Sequence, residues 1–254
     1  MPTTHILKPA ITGFDDHDLN EHLCLRAAHL MGLRAAGSQV RSFGAERAIV
    51  VERYDRLSVG GGRIVRIHQE DMCQALGLPP TATYQSDGGP SPERIIELIR
   101  AAVAPVSVAE QEVGRFVDAL ALNWLIAGTD AHAKNYSILM RGSQVRLAPL
   151  YDVASSLPYD DMYLPRLRMA MKIGSEYRIE AITGRHWRAF AESNRLDADR
   201  ILARIADLAG RLPEALRQAS NSAAVVALKS DLPDRLVARI TEHGRRCVAA
   251  LARS

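Results

Sequence analysis

Between residues 107 and 150 the periodicity of the chain changes twice, and no all-helical or all-strand fold accommodates both changes. From about Ser107 to Gly128 apolar residues recur at helical spacing, with Val113, Phe116, Val117, Leu120 and Trp124 on one face. The polar run Gly128-Thr-Asp-Ala-His-Ala-Lys-Asn135 follows, and Tyr136–Met140 and Gln144–Leu150 then alternate like a hairpin around Gly142. A long helix that empties into a polar loop and a short hairpin requires an α+β architecture.

The flanks extend this pattern. Thr3–Leu7 reads as a short strand ending at Lys8, where Pro9 stops it. Leu19–Met31 is predicted to be an amphipathic helix closed by Gly32, and Arg47–Arg53 and Arg63–His68 two strands with Gly60, Gly61 and Gly62 turning between them. Pro79–Pro92 is the one long irregular stretch, a length that often marks function. Ser91 or Pro92 opens a helix through Ile95, Ile96 and Ile99, and from Trp187 onward the pattern is helical, with Asp197 and Asp231 as expected N-caps. The order predicts a small mixed lobe, residues 1–78, and a larger, mainly helical lobe, residues 79–254, with a ligand cleft between them.

Composition narrows the class. At 254 residues, 47% apolar and 24% charged, the chain can bury a substantial core and is not globally disordered. The net charge of +3 does not by itself establish a polyanion partner. Asp160–Ser254 holds 17 basic and 12 acidic residues, however, against 15 and 17 before it, a balance that suits a C-terminal part meeting phosphate and equally suits solvated arginines on helix faces. Cys24, Cys73 and Cys247 are too scattered for a disulfide framework or zinc site. His5, Lys8, Asp15 and Asp16 stand where a signal peptide would be apolar, and Ala119–Thr129 is shorter than the ~20 residues of a membrane helix. A cytoplasmic location without membrane contact is the expectation.

The polar run carries the chemistry. Asp130 and Asn135 have the spacing of the aspartate and asparagine in the protein-kinase catalytic loop, where the first accepts the acceptor hydroxyl's proton and the second holds magnesium. The pair alone is weak, because most such pairs are turns or caps. Seventeen residues beyond Asn135, Tyr151-Asp152-Val153 puts a carboxylate after the hairpin, where a kinase places its second magnesium ligand; a turn cap is the other reading. Upstream, Lys8 on a strand and Glu21 on the next helix match the phosphate-gripping lysine and the glutamate that holds it, although a solvent-facing lysine and a helix-dipole glutamate fit equally well. Val50-Val-Glu-Arg-Tyr-Asp-Arg56 has the place of an adenine-reading hinge. Lys134 is suited to neutralise a transferred phosphoryl group, and His132 to order the loop.

Together with these residues, Asn123-Trp-Leu-Ile-Ala-Gly-Thr-Asp-Ala-His-Ala-Lys-Asn-Tyr-Ser137 and Leu147-Ala-Pro-Leu-Tyr-Asp-Val-Ala-Ser155 closely resemble the HipA toxins, serine/threonine protein kinases of bacterial toxin–antitoxin pairs. Thr4-His-Ile-Leu-Lys-Pro9, Asn20-Glu21, Gln69-Glu-Asp-Met-Cys-Gln-Ala-Leu-Gly77, Tyr84-Gln-Ser-Asp-Gly-Gly-Pro90 and Leu167-Arg-Met-Ala-Met-Lys172 extend the likeness over nearly the whole chain. The resemblance implies a two-lobed, protein-kinase-like fold with ATP and Mg2+ in the cleft. It makes Asp130 the catalytic base, Asn135 and Asp152 the metal ligands, Lys8 the phosphate contact steadied by Glu21, and Glu52, Arg53 and Tyr54 the hinge. His132, Lys134 and Tyr151 join the nucleotide site. It also implies a helix-turn-helix antitoxin of HipB type, operator DNA bound through the antitoxin complex, with Arg195 near the DNA-contacting stretch, and an aminoacyl-tRNA synthetase, the glutamyl enzyme being the best known, as protein substrate.

One departure qualifies the expectation. Family members carry an N-terminal subdomain and a glycine-rich loop ahead of the lysine strand, and none precedes Lys8 here. Either a separate chain supplies them, the chain is a fragment, or it transfers phosphate inefficiently. Two other readings stand beside the kinase: a catalytically silent module that binds an antitoxin and DNA, and a metal-dependent hydrolase built from Asp130, His132 and Asp152.

Overall fold

The computed structural model describes residues 3–9, 13–44 and 46–253. Its small lobe opens with β1 (His5–Pro9), α1 (His17–Leu30), β2 (Ser38–Phe43) and β3 (Glu46–Glu52), the strands forming an antiparallel sheet in the order β1-β3-β2. β3 takes the centre because Ile49, Val50 and Val51 are buried together, and Lys8 lies opposite Ile49. β1 runs through Lys8 to Pro9, beyond the end expected at Lys8; as an edge strand it tolerates a residue without an amide proton. α1 is buried on nearly all sides, because the sheet covers one flank and helices of the large lobe the other.

The hairpin β4 (Arg56–Ser58) and β5 (Ile64–Arg66) follows, with Gly60, Gly61 and Gly62 all at positive φ. The strand expected over 63–68 therefore ends at Arg66, and His68 begins β6 (His68–Asp71). α2 (Met72–Ala75) is started by a capping box between Asp71 and Gln74. α3 (Pro92–Ala102) and α4 (Val106–Leu125) lead to β7 (Ser137–Arg141) and β8 (Gln144–Leu147), and the sheet order is β6-β7-β8. The division expected at residue 78 thus cuts through a packed unit, since β6 is hydrogen-bonded along β7.

β9 (Arg168–Ile173) and β10 (Glu176–Arg178) form another hairpin, which the sequence reading did not contain. The remainder is α5 (Gly184–Ser193), α6 (Ala198–Ser220), α7 (Ala223–Val226) and α8 (Leu232–Leu251). Asp197 caps α6 as expected, accepting from the Arg200 amide at 3.0 Å. Asp231 occupies the N-cap position of α8 as expected, but its side chain bonds Arg235, and the Ser230 hydroxyl instead accepts from the Leu232 amide at 3.0 Å. In the large lobe Trp124 and Trp187 are fully buried with ring centroids 5.8 Å apart, and the Trp124 indole donates to the Ile179 carbonyl at 3.0 Å. That core anchors the C-terminal end of α4, from which the polar run departs.

Candidate active site

Arg47, on β3, fixes the start of α1 by a two-pronged contact with Asp18, both bonds 2.7 Å long. One turn on, Glu21 faces β1, and the Lys8 ammonium donates to its two oxygens at 2.9 and 3.1 Å. The same ammonium reaches across the lobes to Asp152 Oδ1 at 2.7 Å. Glu21 is almost fully buried, at 2% exposure, whereas Lys8 retains 37%. Burial pulls the lysine down, but Glu21 and Asp152 together outweigh it and the net displacement is upward; burial raises the Glu21 carboxyl against the pull of Lys8. One ammonium thus serves two carboxylates.

The segment expected to be the catalytic loop, Asp130 to Asn135, owes its path to Gly128. Its amide donates to the Asn123 carbonyl at 2.7 Å, and a Cβ there would lie 2.4 Å from Asn123 Oδ1. The loop then winds tightly: the His132 amide donates to the Asp130 carbonyl, and the Asn135 amide to the His132 carbonyl, at 2.8 and 2.9 Å. Ala133, within the loop, is fully buried. Asn135 donates its carboxamide nitrogen to the Asp130 carbonyl at 2.6 Å, which leaves the carboxamide oxygen as an acceptor. The Tyr151 hydroxyl donates to the Lys134 carbonyl at 2.6 Å and so ties the residue before Asp152 to the residue before Asn135. Asp152 itself sits at φ 57°, a left-handed conformation that aspartate tolerates better than most residues and that tends to collect at functional sites.

Beyond Asp152 the chain is fastened from both lobes. Asn20 donates to the Ser155 carbonyl at 2.7 Å and accepts from the Ser155 amide at 3.0 Å. From α8, Arg235 and Arg239 donate to the carbonyls of Pro158 and Leu157 at 2.8 and 2.9 Å.

Asp130 turns its carboxylate outward, with 71% of the side chain exposed. His132 Nε2 is 3.9 Å from it, too far for a hydrogen bond, and His132 Nδ1 is buried without a partner. Lys134 makes no ion pair among the described residues, and the Ala133–Asn135 turn that carries it packs against α2. At the hinge the amides of Glu52 and Arg53 are engaged, donating to Gly37 and Thr4 carbonyls at 2.8 and 2.9 Å. The Tyr54 amide has no backbone partner among the described residues. The Arg53 guanidinium pairs with Asp55, and the Tyr54 ring packs on Tyr151 at 5.7 Å. Arg195 lies apart from all of these, at the α5–α6 turn, on a groove of about 820 Å3 between α4 and α6.

Two residues that sequence reasoning passed over belong to the cluster. Tyr84, from the long loop, donates its hydroxyl to Asp130 Oδ1 and sets its ring edge-on to His132, centroids 5.1 Å apart. His17, one turn before Glu21, is lowered by burial and feels Asp152, Lys8 and Asp130 together. Only the quoted Tyr84–Pro90 likeness offered a signal for the first, and nothing did for the second.

The donors fit a hard cation held partly by phosphate. Asn135 and Asp152 offer oxygen ligands, and magnesium is usually bound by one or two protein carboxylates plus substrate phosphates. Among the described residues no group of three or more His, Cys, Asp or Glu could hold a metal unaided. Asp130, His132 and Asp152 do not form such a group among the described residues.

A lysine–glutamate pair bridging to an aspartate after a hairpin, with an Asp-x4-Asn loop beside it, on a two-lobed frame, defines a protein-kinase-like fold. Residues 1–216 match the HipA-like C-terminal domain, and the chain belongs to that family. Over 84% of its length it is 38% identical to the Sinorhizobium fredii protein Y4mE, covering 50% of that protein. Over 86% it is 28% identical to the serine/threonine-protein kinase toxin HipA of Shewanella oneidensis, covering 51%. The chain thus spans about half the length of these curated relatives. Its structure superposes with TM-score 0.85 on a chain of the Shewanella oneidensis MR-1 complex of HipA, HipB and operator DNA, at 25% identity, covering 98% of this chain and 59% of that one. The fold is also shared with the Helicobacter pylori proinflammatory kinase CtkA, at TM-score 0.63 and 12% identity, covering 97% of this chain and 88% of that one.

Proposed function

We propose that the chain is the catalytic part of an ATP- and magnesium-dependent serine/threonine protein kinase, the toxin of a toxin–antitoxin pair. The observation that carries this reading is the single Lys8 ammonium shared by Glu21 and Asp152 across the lobes. With both carboxylates ionised the trio has one negative charge in excess, which suits a divalent cation between Asp152 and a phosphate. Bound ATP with magnesium supplies the phosphoryl group and the divalent charge. Lys8 holds phosphate oxygens, Asn135 and Asp152 offer metal ligands, and the Tyr54 amide with the Glu52 carbonyl presents a donor and an acceptor to adenine. Asp130 takes the proton of an acceptor hydroxyl, and Lys134 and His132 steady the loop around it. The partners in this reading are a helix-turn-helix antitoxin of HipB type, operator DNA through that complex with Arg195 toward phosphate, and a protein substrate such as an aminoacyl-tRNA synthetase.

The first test is ligand-linked stability. ATP with magnesium should raise the melting temperature, because a ligand that binds only the folded state stabilises it by mass action. Asp152→Ala should remove most of that shift, and Asp130→Asn should keep it while phosphoryl transfer to a serine substrate is lost. A wild-type chain indifferent to ATP with magnesium at about 100 times a typical micromolar Kd would leave the silent antitoxin- and DNA-binding module as the better reading.

A further inference from the structure

Tyr84 stands forty-six positions before Asp130, on no regular element, yet its hydroxyl makes the only side-chain hydrogen bond to the Asp130 carboxylate among the described residues. The loop that carries it is built to hold it there. The Gly89 amide donates to the Tyr84 carbonyl at 2.8 Å, and a Cβ on Gly89 would lie 2.7 Å from the carbonyl oxygens of both Thr83 and Tyr84. The Thr83 carbonyl accepts from the Ala133 amide at 3.2 Å, so the loop is bonded directly to the catalytic segment. On its other side Gln85 accepts from the Lys172 amide of β9 at 2.9 Å. The phenol therefore sits on a loop fixed at both flanks, its ring edge against His132.

Asp130 needs such a restraint. Its side chain is largely exposed, Asn135 engages only its backbone carbonyl, and His132 stops short of it. An exposed carboxylate left alone samples several rotamers, and general-base catalysis depends on one of them. We propose that Tyr84 is a positioning residue of this site: its phenol holds Asp130 Oδ1, so that the second carboxylate oxygen is presented to the acceptor hydroxyl. The proposal rests on reading Asp130 as the base. Burial, and then the hydrogen bond and charge of Asp130, push the Tyr84 phenol above its ordinary value, as expected of a donor bound to an ionised carboxylate.

The experiment is Tyr84→Phe in the full chain, which keeps the ring on His132 and deletes one hydroxyl. Phosphoryl transfer from ATP to a serine substrate should fall in kcat by roughly 10–100-fold, no more than the lower end of the ~10²–10⁴-fold that a general base contributes, while KM for ATP and the melting temperature stay unchanged. An unchanged kcat overturns the proposal. So does a raised one, which would mean that the phenol competes with the acceptor for Asp130. A parallel fall in melting temperature and rise in KM overturns it too, in favour of a merely structural loop contact. A second readout needs no turnover: with 13C-labelled tyrosine, the Tyr84 phenol, assigned by its loss in Tyr84→Phe, should titrate at lower pH in Asp130→Asn than in wild type. Indifference to that substitution sinks the contact itself. A wild-type chain that transfers no phosphate overturns the kinase reading, and the titration then decides alone whether Tyr84 holds Asp130.

Discussion

Glu21 and its neighbour His22 show how burial sets charge at single positions on α1. Glu21 is compensated by Lys8, whereas His22 is buried beside Ser38 with no carboxylate bonded to it, and its ring nitrogen lies 2.9 Å from the hydroxyl. Burial first, and then the charge of Arg26, push His22 down to about 4. A histidine depressed in the folded state binds its proton first in the unfolded chain, so its contribution to stability is present above about pH 6.5 and is lost as pH falls toward 4. The displacement corresponds to roughly 3 kcal/mol. Between pH 7 and pH 4 wild type should therefore lose about that much more unfolding free energy in urea than His22→Gln does. Equal losses would show that His22 is not the linked group. Lys8, Glu21, Asp130, Asn135 and Asp152 were legible in the sequence because each is a distinctive residue type at a set distance from a helix or strand end. Tyr84 was not, because its meaning depends on a loop closing across the fold.

At the scale of elements the legible parts were those whose burial is one-sided. α3 and α6 each bury a single face, and their caps at Ser91 and Asp197 lie where the side-chain pattern puts them. β9 escaped notice because Met169, Ala170 and Met171 are all buried in succession, which erases the alternation of a half-exposed strand. β2 escaped for the opposite reason, since Val40 alone is buried among its residues. The junction of α4 with the Asp130–Asn135 loop is an element boundary held by one close contact. Gly128→Ala puts a methyl group into Asn123, which also donates to the Ala119 carbonyl and the Tyr136 hydroxyl at 2.9 and 3.2 Å. Overpacking of this kind costs roughly 1–3 kcal/mol, and the loop that follows should shift with it. The expected outcome is a lower melting temperature together with loss of the ATP-dependent stabilisation. A variant as stable and as responsive to ATP as wild type would show that the loop does not depend on this contact.

Across the whole molecule the two lobes are joined through α1, which the sheet covers on one side and α6 and α8 on the other, with Arg211 donating to the Met31 carbonyl at 2.9 Å. Lys8 therefore rides on a strand beside β3, which packs on α1. Among the described residues β1 pairs with β3 alone, and Ile6 and Leu7 are 44% and 53% exposed on opposite faces of it. An edge with apolar side chains on both faces is a template for another strand. This is the edge at which an added polypeptide carrying a pairing strand and a glycine-rich loop would join the sheet, next to Lys8. Phosphoryl transfer depends almost wholly on positioning and charge stabilisation, so loop amides brought to that edge should speed it. Adding such a polypeptide should raise the transfer rate of this chain. Ile6→Lys, which sets a charge on the pairing edge, should cancel the gain without lowering the melting temperature of the chain alone. If the added polypeptide changes nothing, or if Ile6→Lys leaves the gain intact, then β1 is not the seat of a completing strand, and Lys8 works with whatever the described lobes alone provide.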